Sequence, residues 1–303
     1  MLAARVKSYI ALRRACGFAL TSQATRLQDF AAFSDAHGKS HLCARTAIEW
    51  ASKARFVHTR ARRLGTVICL ARHLRAEDPR HELPPPVFGS EKRPRPVPYI
   101  LSEEQILRLI QAAATSGHYT LLGQTYSALF ALLACTGLRV SEAIELRFKD
   151  IAADGLIIRN SKYKKSRMVP LHATAQTGIA RYLEQRRPYA PFDDHVFISV
   201  RRTPLRVDNV EHAFDAAARK IGLPRAPQRP RPSPHSFRHT FGTRSLQACS
   251  DDRDRITAHT VALSMYLGHS TVANSYYYME ATGPLLKQIA ERSEAFLHGG
   301  QRS

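Results

Sequence analysis

The sequence predicts a mainly α-helical protein with one small β-hairpin, divided into two domains by a proline-rich linker. Three observations support this fold class. Most apolar residues recur at the three- and four-residue spacing of amphipathic helices. Two short runs of β-forming residues, 156–159 and 166–171, flank a polar turn. Seven of the 17 prolines lie between residues 79 and 98, where neither a helix nor a central strand can continue.

The composition makes nucleic acid the first partner to consider. The 303 residues carry a formal net charge of +20 with a pI near 10.3, and a protein of that charge repels itself unless a polyanion neutralises it. The positive surplus is shared almost equally by residues 1–98 and 99–303, so we expect both parts of the chain to contact the polyanion. The alternative is a basic surface that binds nothing.

Cysteine usage and hydropathy exclude several classes of protein. The five cysteines are odd in number and show no C-x-x-C spacing, which disfavours a disulfide framework and a zinc site. No apolar run approaches the ~18 residues of a membrane span, and the N-terminus lacks a signal-peptide pattern. We therefore expect a cytoplasmic, nucleoid-associated protein with no membrane partner.

The first domain, residues 1–78, is predicted to contain four helices. Amphipathic patterns cover 2–16 and 22–37, each followed by a glycine, and a longer pattern covers 58–77. Between them, Thr46 is expected to cap a short helix. Basic residues cluster around one inter-helix turn, where phosphate contact is favoured over a merely solvated basic face. They are Lys53, Arg55, Arg60, Arg62 and Arg63.

Residues 79–98 are interpreted as a basic, semi-rigid linker, and residues 99–303 as the second domain. Ser102 and Gln105 form a capping-box pattern at the start of a helix. A strongly apolar helix is predicted over 120–135, with Gly137 ending it. Arg139 follows on the next connection, where Glu142 would orient its guanidinium and leave another edge for phosphate. The alternative is a structural Arg–Glu pair.

The predicted hairpin has a lysine-rich tip, which suits the groove of a nucleic acid but is more often only solvated. One lysine would protonate a leaving oxygen and its neighbours would bind phosphate. Helices are expected at 172–186 and 207–221, followed by a proline-rich basic loop at 224–234. The candidate phosphate-binding residues of hairpin and loop are Lys164, Lys165, Arg229 and Arg231.

The segment 235–278 holds the groups needed for metal-free attack on a phosphodiester. A tyrosine phenol is the nucleophile, an arginine neutralises charge on the phosphorus centre, and imidazoles hold or move protons. His235 and His239 have the i, i+4 spacing of a metal pair, but no glutamate follows His235 and no third ligand is evident. The alternative to a site is a helical domain with surface histidines and packed tyrosines.

These blocks resemble, in order, the tyrosine recombinase family, also called the phage integrases. The family reads T-G-L-R-x-x-E, then a G-K-G hairpin ending in V-P-L, then H-x-L-R-H-T, then L-G-H with a tyrosine nine residues after that histidine. The nine-residue spacing selects Tyr278 from three consecutive tyrosines. Ser161 and Tyr163 replace the glycines around the hairpin lysine, and Phe237 replaces the common leucine. The matching residues are Arg139, Glu142, Lys162, His235, Arg238, His269 and Tyr278.

The resemblance implies a four-helix, SAM-like core-binding domain followed by a catalytic domain with the DNA breaking-rejoining fold. It implies a transposon-associated recombinase that acts on specific sites in double-stranded DNA as a homotetramer on synapsed DNA, alone or with related recombinases. No cofactor, metal or ATP is expected, and the chain contains no G-x-x-x-x-G-K loop. The alternatives are a type IB topoisomerase-like enzyme and a DNA-binding clamp without activity.

Overall fold

The computed structural model describes residues 2–89, 97–115, 120–159, 166–224, 231–249 and 253–268. The chain divides into two compact units, residues 1–95 and 96–303. The division falls within the proline-rich segment 79–98. The predicted fold class is confirmed, since both units are mainly helical and the second adds a three-stranded antiparallel sheet. No helix among these residues is both long enough and apolar enough to cross a bilayer.

Four helices form the first unit: α1 (Leu2–Ala15), α2 (Thr21–Ala36), α3 (Ala44–Ser52) and α4 (Val57–Glu77). Each contributes apolar side chains to one core, in which Phe30 and Trp50 pack with ring centroids 5.4 Å apart. The Trp50 indole N–H donates to Asp29 at 3.0 Å, so the ring is fixed at both ends. Gly17 follows α1 with a φ of 86°, which agrees with its predicted role as a helix stop.

The predicted cap of α3 is wrong. The helix begins at Ala44, two residues before Thr46, and Thr46 is buried inside it. The cause is a contact from outside the helix, because the Glu82 carboxylate accepts the Ala44 N–H at 2.7 Å. His81, which is fully buried, accepts the Leu42 N–H on Nδ1 at 2.9 Å. Residues 81–82, beyond α4, are therefore bonded to the segment that leads into α3.

The second unit is built around one buried helix. Its helices are α5 (Glu103–Ala114), α6 (Thr120–Thr136), α7 (Val140–Ile144), α8 (Ala173–Arg186), α9 (Val207–Lys220), α10 (His235–Gln247) and α11 (Arg253–Leu267). The capping box of Ser102 and Gln105 is present at the start of α5, as predicted. Helix α6 packs against α5, α8 and α10, and the core includes Leu129, Phe130 and Leu133. Helix α6 is therefore held by contacts with three other helices.

The sheet contains one strand more than the predicted hairpin. Its strands are β1 (Ile151–Ala152), β2 (Gly155–Ile158) and β3 (Arg167–Pro170), in the order β1-β2-β3. In the β2–β3 register Leu156 faces Val169 and Ile158 faces Arg167. Leu156 and Val169 are buried, so one face of the pair closes the core and β3 is held beside α11.

Candidate active site

The turn that ends α6 determines where Arg139 lies. Gly137 has a φ of 61°, and a Cβ at this position would lie 2.7 Å from Cδ1 of Phe241. Both the backbone conformation and the close packing therefore require glycine here. Leu138 is buried directly after the turn. Arg139 is the residue that directly precedes α7, and its backbone is extended.

Glu142 holds Arg139 at two points, by backbone and by side chain. Its Oε2 accepts the Arg139 backbone N–H at 3.0 Å, and its Oε1 accepts Nη1 of the guanidinium at 2.7 Å. The side chains of Glu142 and Arg139 are 6% and 25% exposed. Burial raises the pKa of Glu142, but hydrogen bonds from Arg167 and Arg139 outweigh it and hold that pKa below its ordinary value. Glu142 is thus charged at neutral pH.

Helix α10 brings a second arginine into the same region. Phe237 is fully buried against Phe130 and Phe214, with ring centroids 5.5 and 5.7 Å away. This anchor fixes the rotation of α10 and places Arg238 inside the protein at 2% exposure. Arg238 donates from Nη1 to the Gly137 carbonyl at 2.8 Å and from Nη2 to the Leu267 carbonyl at 2.7 Å. Its guanidinium therefore has a fixed position.

Two imidazoles lie on the same helix. The rings of His235 and His239 meet edge to face, with centroids 4.5 Å apart. Packing around the ring, together with the positive charges of Arg238 and Arg139, lowers the pKa of His235 to about 4. His235 is nevertheless exposed to water, which weakens the effect of packing but not its direction. Burial, His235 and Arg238 lower the pKa of His239 to about 3. Both rings are neutral at neutral pH.

The two arginines meet at the C-terminal end of α11. Arg139 donates from Nη2 to the Gly268 carbonyl at 3.1 Å, next to the carbonyl that holds Arg238. Two guanidinium groups from separate elements are thus bonded to consecutive residues. Two guanidinium groups held in place near a neutral imidazole suit an anion that gains charge during a reaction, as a phosphodiester does when attacked.

Comparison with known proteins assigns the family. The model of the phage integrase family matches residues 100–282. A putative integrase/recombinase of Sinorhizobium fredii, y4rB, is 36% identical over 304 residues, which cover 95% of this chain and 96% of the relative. The chain belongs to the phage integrase family. This family comprises the tyrosine recombinases, so the chain is a DNA strand-transferring enzyme.

Two further comparisons agree with the assignment. The tyrosine recombinase XerD of Xanthomonas campestris is 32% identical over 247 residues, covering 76% of this chain and 70% of the relative. The second comparison is structural. The fold of the present chain matches that of the Tn1549 transposon integrase, which was solved in complex with transposon right end DNA. The TM-score is 0.64 at 18% identity, over 96% of this chain and 99% of that one.

Six of the site residues predicted for this recombinase lie outside the described residues. They include the hairpin lysine and the proposed nucleophile, so these remain predictions. The six are Lys162, Lys164, Lys165, Arg229, His269 and Tyr278.

The candidate DNA contacts of the first unit lie around the turn between α3 and α4. Lys53 sits over the ring of Phe33 at 4.0 Å, and Arg55 over Phe56 at 5.3 Å. Arg60 donates to the Ala54 carbonyl at 2.7 Å. Such contacts orient the stems of these side chains and leave their charge near the surface.

The remaining candidates are held less uniformly. Arg63 sits over Trp50 at 5.0 Å and is half-buried, whereas Arg62 is exposed. In the second unit, Arg231 pairs with Asp215 on α9. A phosphate contact from Arg231 would therefore compete with a carboxylate already in place.

One group of the recombinase has the composition of a metal site. Within the described ranges, only Asp193, Asp194 and His195 bring three such ligand atoms within 4.8 Å of one another. Asp193 already accepts from the His195 backbone and ring, at 2.7 and 2.6 Å. Asp194 pairs with Arg147 through both oxygens. These contacts indicate a structural role for the group, since they hold residues 193–195 together and bond them to Arg147.

Sequence reasoning missed Arg167, the first residue of β3. Its guanidinium donates to both oxygens of Glu142, at 3.1 and 2.9 Å, and its Nε donates to the Tyr266 carbonyl at 2.7 Å. The only signal in the sequence was an arginine in an otherwise apolar strand. That pattern does not reveal a partner 25 residues earlier or one 99 residues later.

Proposed function

We propose that this recombinase cuts and rejoins specific DNA sites of a mobile element through a covalent 3′-phosphotyrosyl intermediate. One observation carries the proposal. Arg139 and Arg238 bond to the consecutive carbonyls of Gly268 and Leu267, immediately before the segment with His269 and Tyr278. The names of the relatives support the mobile element, since y4rB is a putative integrase/recombinase and the Tn1549 protein is a transposon integrase.

The two arginines would stabilise the transition state. The Tyr278 oxygen attacks the scissile phosphorus in line, and the bond from phosphorus to the 5′-oxygen breaks as the bond to tyrosine forms. Negative charge builds on the non-bridging oxygens, where Arg139 and Arg238 donate. Because both are already held by fixed acceptors, little reorganisation is needed when the charge appears.

Proton transfers complete the cycle. His235 would accept the tyrosine proton, and its lowered pKa leaves the ring neutral, with a free nitrogen lone pair, at neutral pH. Lys162 would protonate the departing 5′-oxygen, and His269 would hydrogen-bond the phosphate. A 5′-hydroxyl from a second strand then attacks the phosphotyrosine and releases Tyr278. One phosphoester replaces another, so the cycle needs no ATP.

Double-stranded DNA is the partner, and four protomers are proposed for the synapse. Strand exchange joins two duplexes, and each must be cleaved by two protomers. The tail after Tyr278 has the apolar spacing of an amphipathic helix and would dock on a neighbouring protomer or on its own core. Deleting residues 284–303 should spare binding to a single site but impair recombination. Unchanged recombination by the truncated protein would rule out docking on a neighbour.

Trapping the covalent intermediate tests the function. A binding site is selected from a randomised duplex library with the Tyr278→Phe protein, and a labelled, nicked suicide version is incubated with wild type. We expect a covalent protein–DNA band on a denaturing gel. Absence of this band would mean that the protein binds DNA without cleaving it. Exchange of label between two duplexes separates a recombinase from a topoisomerase, which relaxes one duplex and exchanges none.

A further inference from the structure

Three consecutive backbone carbonyls at the end of α11 each accept from a different arginine. The carbonyls of a last helical turn have no partner within the helix and carry the negative end of its dipole, so they attract cations. The three donors lie 99, 29 and 129 residues away in the chain. In order, the Tyr266, Leu267 and Gly268 carbonyls accept from Arg167, Arg238 and Arg139 at 2.7, 2.7 and 3.1 Å.

Arg167 differs from the other two because it also binds Glu142 with a fork. Nη1 and Nη2 donate to Oε1 and Oε2 respectively, while Nε donates to Tyr266. This is the bidentate geometry that makes an arginine–carboxylate pair strong and directional. The side chains of Arg167 and Glu142 are 13% and 6% exposed, so water screens the pair little.

The fork limits how Arg139 meets the same carboxylate. With both oxygens facing Arg167, Arg139 donates from its guanidinium to Glu142 only through Nη1. A carboxylate facing Arg139 alone would favour a two-point bond with it. Such a bond would turn a second edge of the guanidinium towards Glu142 and away from the phosphate.

We propose that Arg167 is a positioning residue that keeps Arg139 in a one-point bond with Glu142, so that the rest of its guanidinium faces the scissile phosphate. The proposal rests on the proposed role of Arg139. Arg167 also joins the start of β3 to the end of α11. Position 268 is adapted to the same guanidinium, since a Cβ on Gly268 would lie 2.8 Å from Nη1 of Arg167.

The test compares Arg167, the first residue of β3, with Arg159, which directly follows the adjoining strand β2. Arg167→Met removes every donor and keeps an apolar stem, and Arg159→Met does the same at the end of β2. Arg159 is the matched control because it also pairs with a buried carboxylate, Asp150, at 2.6 Å. With the nicked substrate at saturation, we expect Arg167→Met to slow adduct formation about 10- to 100-fold, the scale of a misplaced reacting group. Its DNA affinity should match that of Arg159→Met.

Two readouts distinguish positioning from a structural role. Removing Arg167 leaves the burial of Glu142 less compensated, so the pKa of Glu142 should rise. The adduct rate of Arg167→Met should then fall as pH falls through that raised pKa, in a range where Arg159→Met does not show this additional loss. In a Glu142→Gln background, Arg167→Met should have little further effect, because its effect passes through the carboxylate.

Several outcomes would overturn the proposal. They are an unchanged adduct rate in Arg167→Met, an equal loss in Arg159→Met, or additive losses with Glu142→Gln. If Arg167→Met does not fold, Arg167→Lys provides the same comparison, since lysine keeps the charge but not the fork. A wild type that forms no adduct refutes the proposed function. A wild type that does, beside an equally fast Arg167→Met or Arg167→Lys, refutes only the role of Arg167.

Discussion

The two units hold their cations in different ways. In the first unit, Lys53 and Arg55 lie over aromatic rings and are exposed, so salt and water screen them. In the second unit, Arg238 is 2% exposed and donates to two backbone carbonyls. Exposed cations of this kind suit contact with a DNA backbone of any sequence. A buried guanidinium with fixed acceptors suits a charge that exists only in a transition state.

The largest effect should come from removing the buried arginine of the second unit. Arg238→Ala removes a fixed donor, and loss of one such donor typically costs roughly 10²–10³-fold in rate. We expect the adduct band to fall by at least that factor. Arg63→Ala, in the first unit, should weaken DNA binding but leave the adduct rate at saturating DNA unchanged.

Arg238→Lys is the control for misfolding of Arg238→Ala. Lysine keeps the charge but cannot reach two carbonyls in a fork, so this variant should also be slow. Equal rate losses in Arg63→Ala and Arg238→Ala would remove the distinction between the two units.

A smaller effect is expected on the salt dependence of binding. Each phosphate contact contributes about 0.9 to the slope of log affinity against log salt. The double variant Lys53→Ala, Arg62→Ala should therefore reduce the slope by roughly 2. Lys7→Ala, an exposed lysine away from the turn, should not change it. Binding titrations between low and moderate salt measure these slopes. Equal slopes in wild type, the double variant and Lys7→Ala would show that the turn between α3 and α4 does not contact DNA.

The smallest effect concerns a single proton. Packing, Arg238 and Arg139 lower the pKa of His235, so its ring should titrate below its ordinary value of about 6.5. Below that pH the unfolded chain takes up a proton that the native protein does not, so stability falls as pH falls towards the native pKa. An NMR titration of the histidine rings, assigned with His235→Gln, measures the midpoint. A midpoint at or above 6.5 would contradict a neutral His235.

Much of the fold was predictable because its signals are local. The stop at Gly17, the capping box at Ser102 and the end of α6 at Gly137 each depend on a few neighbouring residues. The start of α3 was not predictable, because its first N–H is bonded to Glu82, 38 residues further on. Local preference for a threonine cap could not reveal that contact.

The candidate site likewise contains some residues that the sequence could identify and some contacts that it could not. Arg139, Glu142 and Arg238 could be identified because family motifs keep their type and spacing. Their acceptors could not, because every residue has a carbonyl and only the tertiary structure selects those of Gly137 and Leu267. Arg167 was missed for this reason.

Mapping the covalent bond is the most direct test of this account. Wild-type protein is trapped on the nicked suicide substrate and digested, and mass spectrometry identifies the peptide and the tyrosine that carry the nucleotide. We predict Tyr278, with no adduct in Tyr278→Phe and a detectable one in Tyr276→Phe and Tyr277→Phe, because consecutive helical side chains point about 100° apart. A nucleotide on Tyr276 or Tyr277, or an adduct that persists in Tyr278→Phe, would contradict the account.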